Sequence, residues 1–206
     1  FADSVTHVDH EAEAEIVACI KDAFPDHAIL AEESADDLDS SALASWTWIA
    51  DPLDGTTNFL HQYPMSSSSV ALLHDGHAVA AAVVCSATGE EWTATRGAGA
   101  CKDDVAIEIS SLQRLDRALI GTGFPFKLPH LLPTYLRQFE HIIRNVSDIR
   151  RGGSAASRTA GRKRRFPRGC ARLERAHVLL RSHGHELCKR SARAATSARC
   201  RRGVGV

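Results

Sequence analysis

The chain of 206 residues lacks any apolar run near the ~18 residues that a membrane-spanning helix needs. Its longest, Ala78 to Cys85, has the length of a strand, so no membrane partner is expected. A cysteine framework is missing too. Cys19, Cys85, Cys101, Cys170, Cys188 and Cys200 include no Cys-x-x-Cys pair and form no dense framework, which favours reduced thiols in a cytoplasm over a disulfide-stapled scaffold. No internal repeat is evident. The opening Phe1-Ala2-Asp3 carries neither an initiator methionine nor a signal-peptide pattern, so the chain is expected to be truncated or processed at its front.

Net charge is also absent, with 25 Lys+Arg against 25 Asp+Glu. Taken whole, that balance excludes a dedicated nucleic-acid binder and a strongly acidic tail. Taken in two pieces it does not. Residues 1–149 hold 8 basic and 23 acidic side chains, a net of −15, whereas residues 150–206 hold 17 and 2, a net of +15. The second piece is poor in apolar residues, with only 8 of its 57 strongly so. That lies below the roughly 20% under which high charge usually means disorder. The hydrophobic core therefore belongs to the first 149 residues.

What is present there reads as alternating elements. Asp9 is placed to cap a helix over residues 10–24, with Ala12, Ile16, Ile20 and Phe24 recurring every four positions on its inner face. Ala28 to Ala31 reads as a strand leading into Glu32-Glu33-Ser34, and Asp36 to Ser41 as an exposed loop. Trp46 to Ala50 is a second strand, leading into Asp51-Pro52-Leu53-Asp54-Gly55-Thr56. A hairpin follows, Ser67 to His74 and Ala78 to Cys85 about Asp75-Gly76. Trp92 to Arg96, Val105 to Ile109 and Ala118 to Thr122 read as further strands, with turns over 97–104. Leu132 to Val146 reads as a helix burying Tyr135, Phe139, Ile142, Ile143 and Val146. Helix, antiparallel strands, helix is the order of an α+β layered domain.

Carboxylates gather where the first two strands end, so Glu32, Asp51 and Asp54 are placed to converge. Three such groups repel and raise one another's pKa unless cations neutralise them. Hard oxygen ligands of this kind suit Mg²⁺, which also takes substrate phosphate. Pro52 stiffens the turn, the Leu53 carbonyl offers another oxygen, and Gly55 permits close backbone approach. Thr56 and Thr57 follow where a helix can begin, with free N–H groups for a phosphate. The bland alternative is a plain surface turn, which the composition also suits.

The segment Trp48-Ile49-Ala50-Asp51-Pro52-Leu53-Asp54-Gly55-Thr56-Thr57-Asn58-Phe59 resembles the signature of the inositol monophosphatase family. The likeness extends over Asp3 to Asp9, Phe24 to His27, Glu32 to Ser34, Gly121 to Phe126 and Arg150 to Ala156. It is especially close to bacterial members of the extragenic suppressor type. The resemblance implies a layered αβαβα sandwich, incomplete at both ends, over residues 1–156. It implies Mg²⁺ held by Glu32, Asp51 and the Leu53 carbonyl, a second ion on Asp51 and Asp54, and a weaker third near Glu32. Glu32 and Thr56 would orient the attacking water, with Asp3 in support. Leu53 and Asp54 would border the substrate, the Gly55 and Thr56 amides would hold its phosphate, and Arg150, Gly153, Ser154 and Ala155 would meet its polyol. The implied reaction is hydrolysis of a small phosphate monoester such as inositol 1-phosphate, sensitive to lithium, by a cytoplasmic and commonly dimeric enzyme. The alternative it implies is a binding protein that works with the transcription machinery or RNA. A haloacid-dehalogenase reading is disfavoured, because that motif separates its aspartates by one residue whereas Pro52 and Leu53 both intervene here.

The family's second metal position takes one more carboxylate, from a downstream Trp-Asp-x-x-Ala-Gly segment. Residues 157–206 contain no Asp and no Trp. Weak or no activity is expected of the chain as written. Its Arg-rich residues 157–206 admit three readings: a solvated arm, a nucleic-acid contact, or a frame-shifted translation. The absence of interleaved aromatics beyond Phe166 argues against base stacking. The abrupt loss of the family pattern after Ala156 favours the frame-shift, which the gene's other frames would reveal.

Overall fold

The computed structural model describes residues 7–34, 45–126, 128–153 and 162–163. The sites expected at Asp3, Ser154 and Ala155, the loop expected over 36–41, and nearly all of the Arg-rich tail lie outside these residues.

Helix α1 (His7–Ala23) lies on a sheet that begins with β1 (Ala28–Ala31) and β2 (Trp46–Asp54). The short α2 (Thr56–Leu60) follows, then the hairpin β3 (Ser67–His74) and β4 (His77–Cys85). Asp75 and Gly76 both take positive φ in the hairpin turn (48° and 73°), as a tight turn matched to strand twist requires. The meander continues through β5 (Glu91–Thr95), β6 (Gly99–Lys102) and β7 (Val105–Glu108). Strand β8 (Leu119–Gly121), helix α3 (Leu132–Ile143) and β9 (Asp148–Arg150) come next, and β10 (Arg162–Lys163) last.

Eight strands form the main sheet, in the order β1-β2-β3-β4-β5-β6-β7-β10. Only the β1–β2 pair is parallel; the remaining neighbours run antiparallel. A second, parallel pair joins β8 to β9, with α3 as the crossover. The fold is thus α+β, as the element order predicts.

The core lies between α1 and the main sheet. Val8, Ala12, Ile16 and Ile20 recur every four residues down one face of α1 and are all buried. Ile16 and Ile20 pack with Trp48, Ala50, Val70, Leu72, Ala82 and Val84. Burying an isoleucine side chain contributes about 1.5–3 kcal/mol, so this single stripe fixes the helix on the sheet. Ser66, Ser67 and Ser68 are buried at the head of β3. Cys85 is buried, and Cys19, Cys85 and Cys101 carry free thiols.

Four expectations change. Helix α1 begins at His7, so Asp9 lies inside its first turn and is no cap. Strand β2 runs on through Asp54 where a turn is expected after Ala50. The turn-rich stretch over 97–104 contains β6. Helix α3 stops at Ile143, and none of its residues is fully buried. Among the described residues, no helix is long and apolar enough to cross a membrane.

Candidate active site

The parallel register of β1 and β2 brings the two acidic segments together. Ala31 pairs with Ala50, and the Glu32 amide donates to the Ala50 carbonyl at 3.1 Å. One step further along each strand, Glu32 lies beside Asp51. The signature segment is then a bulged strand end. Asp51 pairs with Ser69 and Asp54 with Ser67, so three steps on β2 match two on β3. Pro52 causes this locally: it has no N–H for the ladder, and an extra residue absorbs the defect. Buried Ser68 anchors the bulge by donating its hydroxyl to the Pro52 carbonyl at 2.7 Å. At its end Gly55 takes φ 88° and ψ 37°, the left-handed conformation that turns the chain into α2.

Asp51 is the most perturbed group in the site. Burial, then the neighbouring charges of Glu32 and Asp54, push its carboxyl up to about 8. Its Oδ1 is buried without a hydrogen-bond partner. A desolvated carboxyl flanked by two others is stable only if it keeps a proton or faces a cation. The three groups do not form a closed cage: among the described residues no group of three or more His, Cys, Asp or Glu side chains is drawn together tightly enough to hold a metal unaided. Glu32 is hydrogen-bonded to Asp51, whereas Asp54 acts on it through its charge.

Residues not expected from the sequence complete the site. Asp9, only 1% exposed, accepts a hydrogen bond from the Thr56 hydroxyl at 3.1 Å. The Leu53 carbonyl lies at the same distance from that hydroxyl. Buried Glu13, one turn after Asp9, accepts from the Glu33 amide at 2.9 Å through Oε2 and so ties α1 to the end of β1. The Glu33 carboxyl is pushed up, first by burial and then by Asp9 and Glu32. The signal in the sequence was the i, i+4 pair Asp9 and Glu13 beside an apolar stripe, an acidic column on an inward-facing flank. Asn58, buried on α2, donates through Nδ2 to the carbonyls of Met65 at 2.7 Å and Gly152 at 3.2 Å.

Of the expected residues, Glu32, Asp51, Leu53, Asp54, Gly55 and Thr56 fall on one connected strip at the ends of β1 and β2. Gly153 joins them through the Asn58 bridge to its neighbour Gly152. Arg150 lies on β9, exposed, with its guanidinium on Asp148 and the Ile149 carbonyl.

The profile of the inositol monophosphatase family matches residues 1–160. The chain is 40% identical over 156 residues to the Nus factor SuhB of Pseudomonas aeruginosa, covering 75% of this chain and 58% of that protein. It is 38% identical over 154 residues to the Nus factor SuhB of Escherichia coli, covering 75% and 57%. Among solved structures, the extragenic suppressor protein suhB from Bartonella henselae superposes with a TM-score of 0.67 at 38% identity, over 74% of this chain and 59% of that one. The inositol monophosphatase of Anabaena does so with a TM-score of 0.67 at 34% identity, over 74% and 60%. The chain thus spans somewhat under three fifths of the curated relatives it matches. With the signature strip folded at the ends of β1 and β2 and this likeness running through residue 160, the chain belongs to the inositol monophosphatase family.

Proposed function

We propose that this chain carries the phosphate-hydrolysing strip of a Mg²⁺-dependent phosphomonoesterase acting on a small polyol phosphate such as inositol 1-phosphate. The observation that carries this reading is Asp51, a half-buried side chain whose buried Oδ1 lacks a hydrogen-bond partner and whose carboxyl feels the charges of Glu32 and Asp54. Such a donor set fits a hard divalent cation better than any neutral ligand. Glu32, Asp51, Asp54 and the Leu53 carbonyl would hold the Mg²⁺. When bound, the cation neutralises charge on the phosphate and acidifies a nearby water.

The chain's own groups do the rest. Thr56 directs its hydroxyl hydrogen toward Asp9, which leaves its oxygen lone pairs free to accept from a water and so orient it. Glu32 is the base toward which that water points, with Asp3 in support. The Gly55 and Thr56 amides hold the phosphate beside the left-handed turn, and Leu53 and Asp54 border it. Gly153, Ser154, Ala155 and Arg150 meet the polyol. Residues 157–206 contain no Asp that could serve a second cation position, so weak turnover is the outcome expected of these 206 residues by themselves.

Binding is therefore the decisive measurement. Calorimetry should show saturable Mg²⁺ binding that is lost in Asp51→Asn and Asp54→Asn, with inorganic phosphate binding only when Mg²⁺ is present. A chain that binds neither overturns the reading. Rapid Mg²⁺-dependent phosphate release from inositol 1-phosphate, abolished by Asp54→Asn, would instead overturn the expectation of weak turnover.

A second reading rests on the relatives named Nus factors: a cytoplasmic binding protein for the transcription machinery or RNA. It uses surfaces outside the acidic strip. Capture by RNA polymerase that survives Asp51→Asn supports it.

A further inference from the structure

Asn58 connects two parts of the molecule that lie 94 residues apart in sequence. It sits on α2, two residues after Thr56, and only 8% of it is exposed. Its Nδ2 donates to two backbone carbonyls, Met65 and Gly152. Two carbonyl acceptors require the amide nitrogen on that side, because the amide oxygen would repel both. One carboxamide thus spans the loop that follows α2 and the segment that follows β9.

The segment on the far side is shaped to receive it. Gly153 has φ +85°, a conformation other residues rarely adopt. A Cβ at Gly153 would stand 2.8 Å from Asn58 Nδ2 and 2.7 Å from Arg151 Nη1. The Arg151 guanidinium is itself held over the rings of Phe124 and Phe126, with 5.9 Å and 5.7 Å to their centroids. The close approach of α2 to Gly152–Gly153 therefore depends on a donor at 58 and on the lack of a side chain at 153.

We infer that Asn58 is a positioning residue, a clamp that sets the distance between the signature turn at Gly55–Thr56 and the Gly152–Gly153 segment, and so selects phosphate esters over phosphate alone. The inference rests on the phosphatase reading above. Asn58 touches neither the phosphate nor the acidic cluster in this scheme; it holds the backbone that borders the ester's alcohol.

The test compares inorganic phosphate and inositol 1-phosphate as ligands in Mg²⁺ by calorimetry, for the wild-type chain, Asn58→Ala and Asn58→Asp. Both variants lose the bonds to Met65 and Gly152; the loss of the one to Gly152 should weaken inositol 1-phosphate by about threefold to tenfold, with inorganic phosphate inside about twofold. Gly153→Ala, which pushes on the clamp from the other side, should weaken the ester similarly. The double variant should lose no more than the worse single one, as coupled sites do. This keeps the question open to refutation should the Asn58 variants melt early. Equal losses for the two ligands, or none for the ester, overturn the clamp while the phosphatase reading stands. A wild-type chain that binds neither ligand overturns both.

Discussion

The hydroxyl of Thr56 donates to Asp9 Oδ1 at 3.1 Å, joining the first turn of α1 to the first turn of α2 across 47 residues. The Leu53 carbonyl competes for the same hydrogen at 3.1 Å. A single proton thus ties the helix, the bulged strand end and the signature turn together. Thr56→Val keeps the shape and removes the donor from a buried carboxylate. It should cost about 1–3 kcal/mol in urea denaturation, whereas Thr56→Ser should cost less than about 1. Equal stabilities for the Val and Ser variants would mean the hydroxyl ties nothing.

The sequence made the acidic strip legible because two carboxylate segments each follow an apolar strand, and a parallel pairing of those strands leaves little choice but convergence. Asp9 was harder. An Asp just before an apolar helical stripe has the appearance of a cap, and only the position of Thr56 in space gives it another role. Strand β6 hid for a similar reason. Glycines and aspartates crowd it, and Asp103 and Asp104 do adopt positive φ in the turn that follows, yet Ala100 to Lys102 still fit the ladder between β5 and β7. Pro52 likewise looks like the end of a strand, although a bulge lets β2 continue past it.

Asp51 sets a cost on the metal-free fold. Its buried Oδ1 lacks a partner and its carboxyl is pushed up to about 8, so near neutral pH it is largely protonated. Asp51→Asn replaces a neutral acid with a neutral amide of the same shape. The metal-free protein should then lose less than about 1 kcal/mol, the range of benign substitutions. The rise in melting temperature that Mg²⁺ gives the wild-type chain should vanish. Thermal melts with and without Mg²⁺ read both effects; a retained rise would place the cation elsewhere.

His27 makes stability depend on pH. Trp48 donates through Nε1 to His27 Nδ1 at 3.0 Å, so that nitrogen carries no proton. The ring is stacked between Phe24 and Trp46, and Trp46 in turn stacks on His74. Burial lowers the His27 pKa; Asp26 opposes the shift and Lys21 adds to it. The unfolded chain therefore takes up a proton first. The stability from neutral His27 is complete above about pH 6.5 and is lost as pH falls through the lower folded value. His27→Gln, which still offers Trp48 an acceptor, should flatten that loss. Tryptophan-monitored urea unfolding at about pH 7.5 and about pH 5 gives the comparison. Parallel losses in both proteins would leave His27 without this role.

Ile16 tests where the core lies. It is fully buried on α1 against Trp48, Val70 and Leu72. Ile16→Ala should cost about 2–5 kcal/mol, the cost of a cavity that cannot collapse. Ile109 is 94% exposed just past β7, and Ile109→Ala should stay within about 0.5 kcal/mol. Denaturation midpoints that moved together would contradict this division.

Helix α3 supplies the converse case. Its apolar residues recur at helical spacing, and Tyr135, Phe139, Ile142, Ile143 and Val146 were expected to be buried. Yet Leu132, Leu136 and Ile143 are exposed, and Tyr135, Phe139, Ile142 and Val146 are only half-buried. Amphipathic spacing says which face of a helix is apolar; whether that face meets a partner is decided by what else the chain supplies. The strands β8 and β9 that α3 connects form a two-stranded sheet, and such a sheet is marginal unless something packs on it. Exposed Phe124 meets Tyr135 edge-on and Phe126 meets Phe124 likewise, which extends the same apolar surface. Truncating a side chain that is not buried forfeits little, so Phe139→Ala should cost less than about 1.5 kcal/mol, against about 3–5 for a buried phenylalanine. Leu136→Glu should leave the unfolding midpoint unchanged and lower the fluorescence of a bound hydrophobic dye, because it removes exposed apolar surface. If Phe139→Ala instead costs as much as Ile16→Ala, the face is covered in solution, and the α3 layer belongs to the core after all.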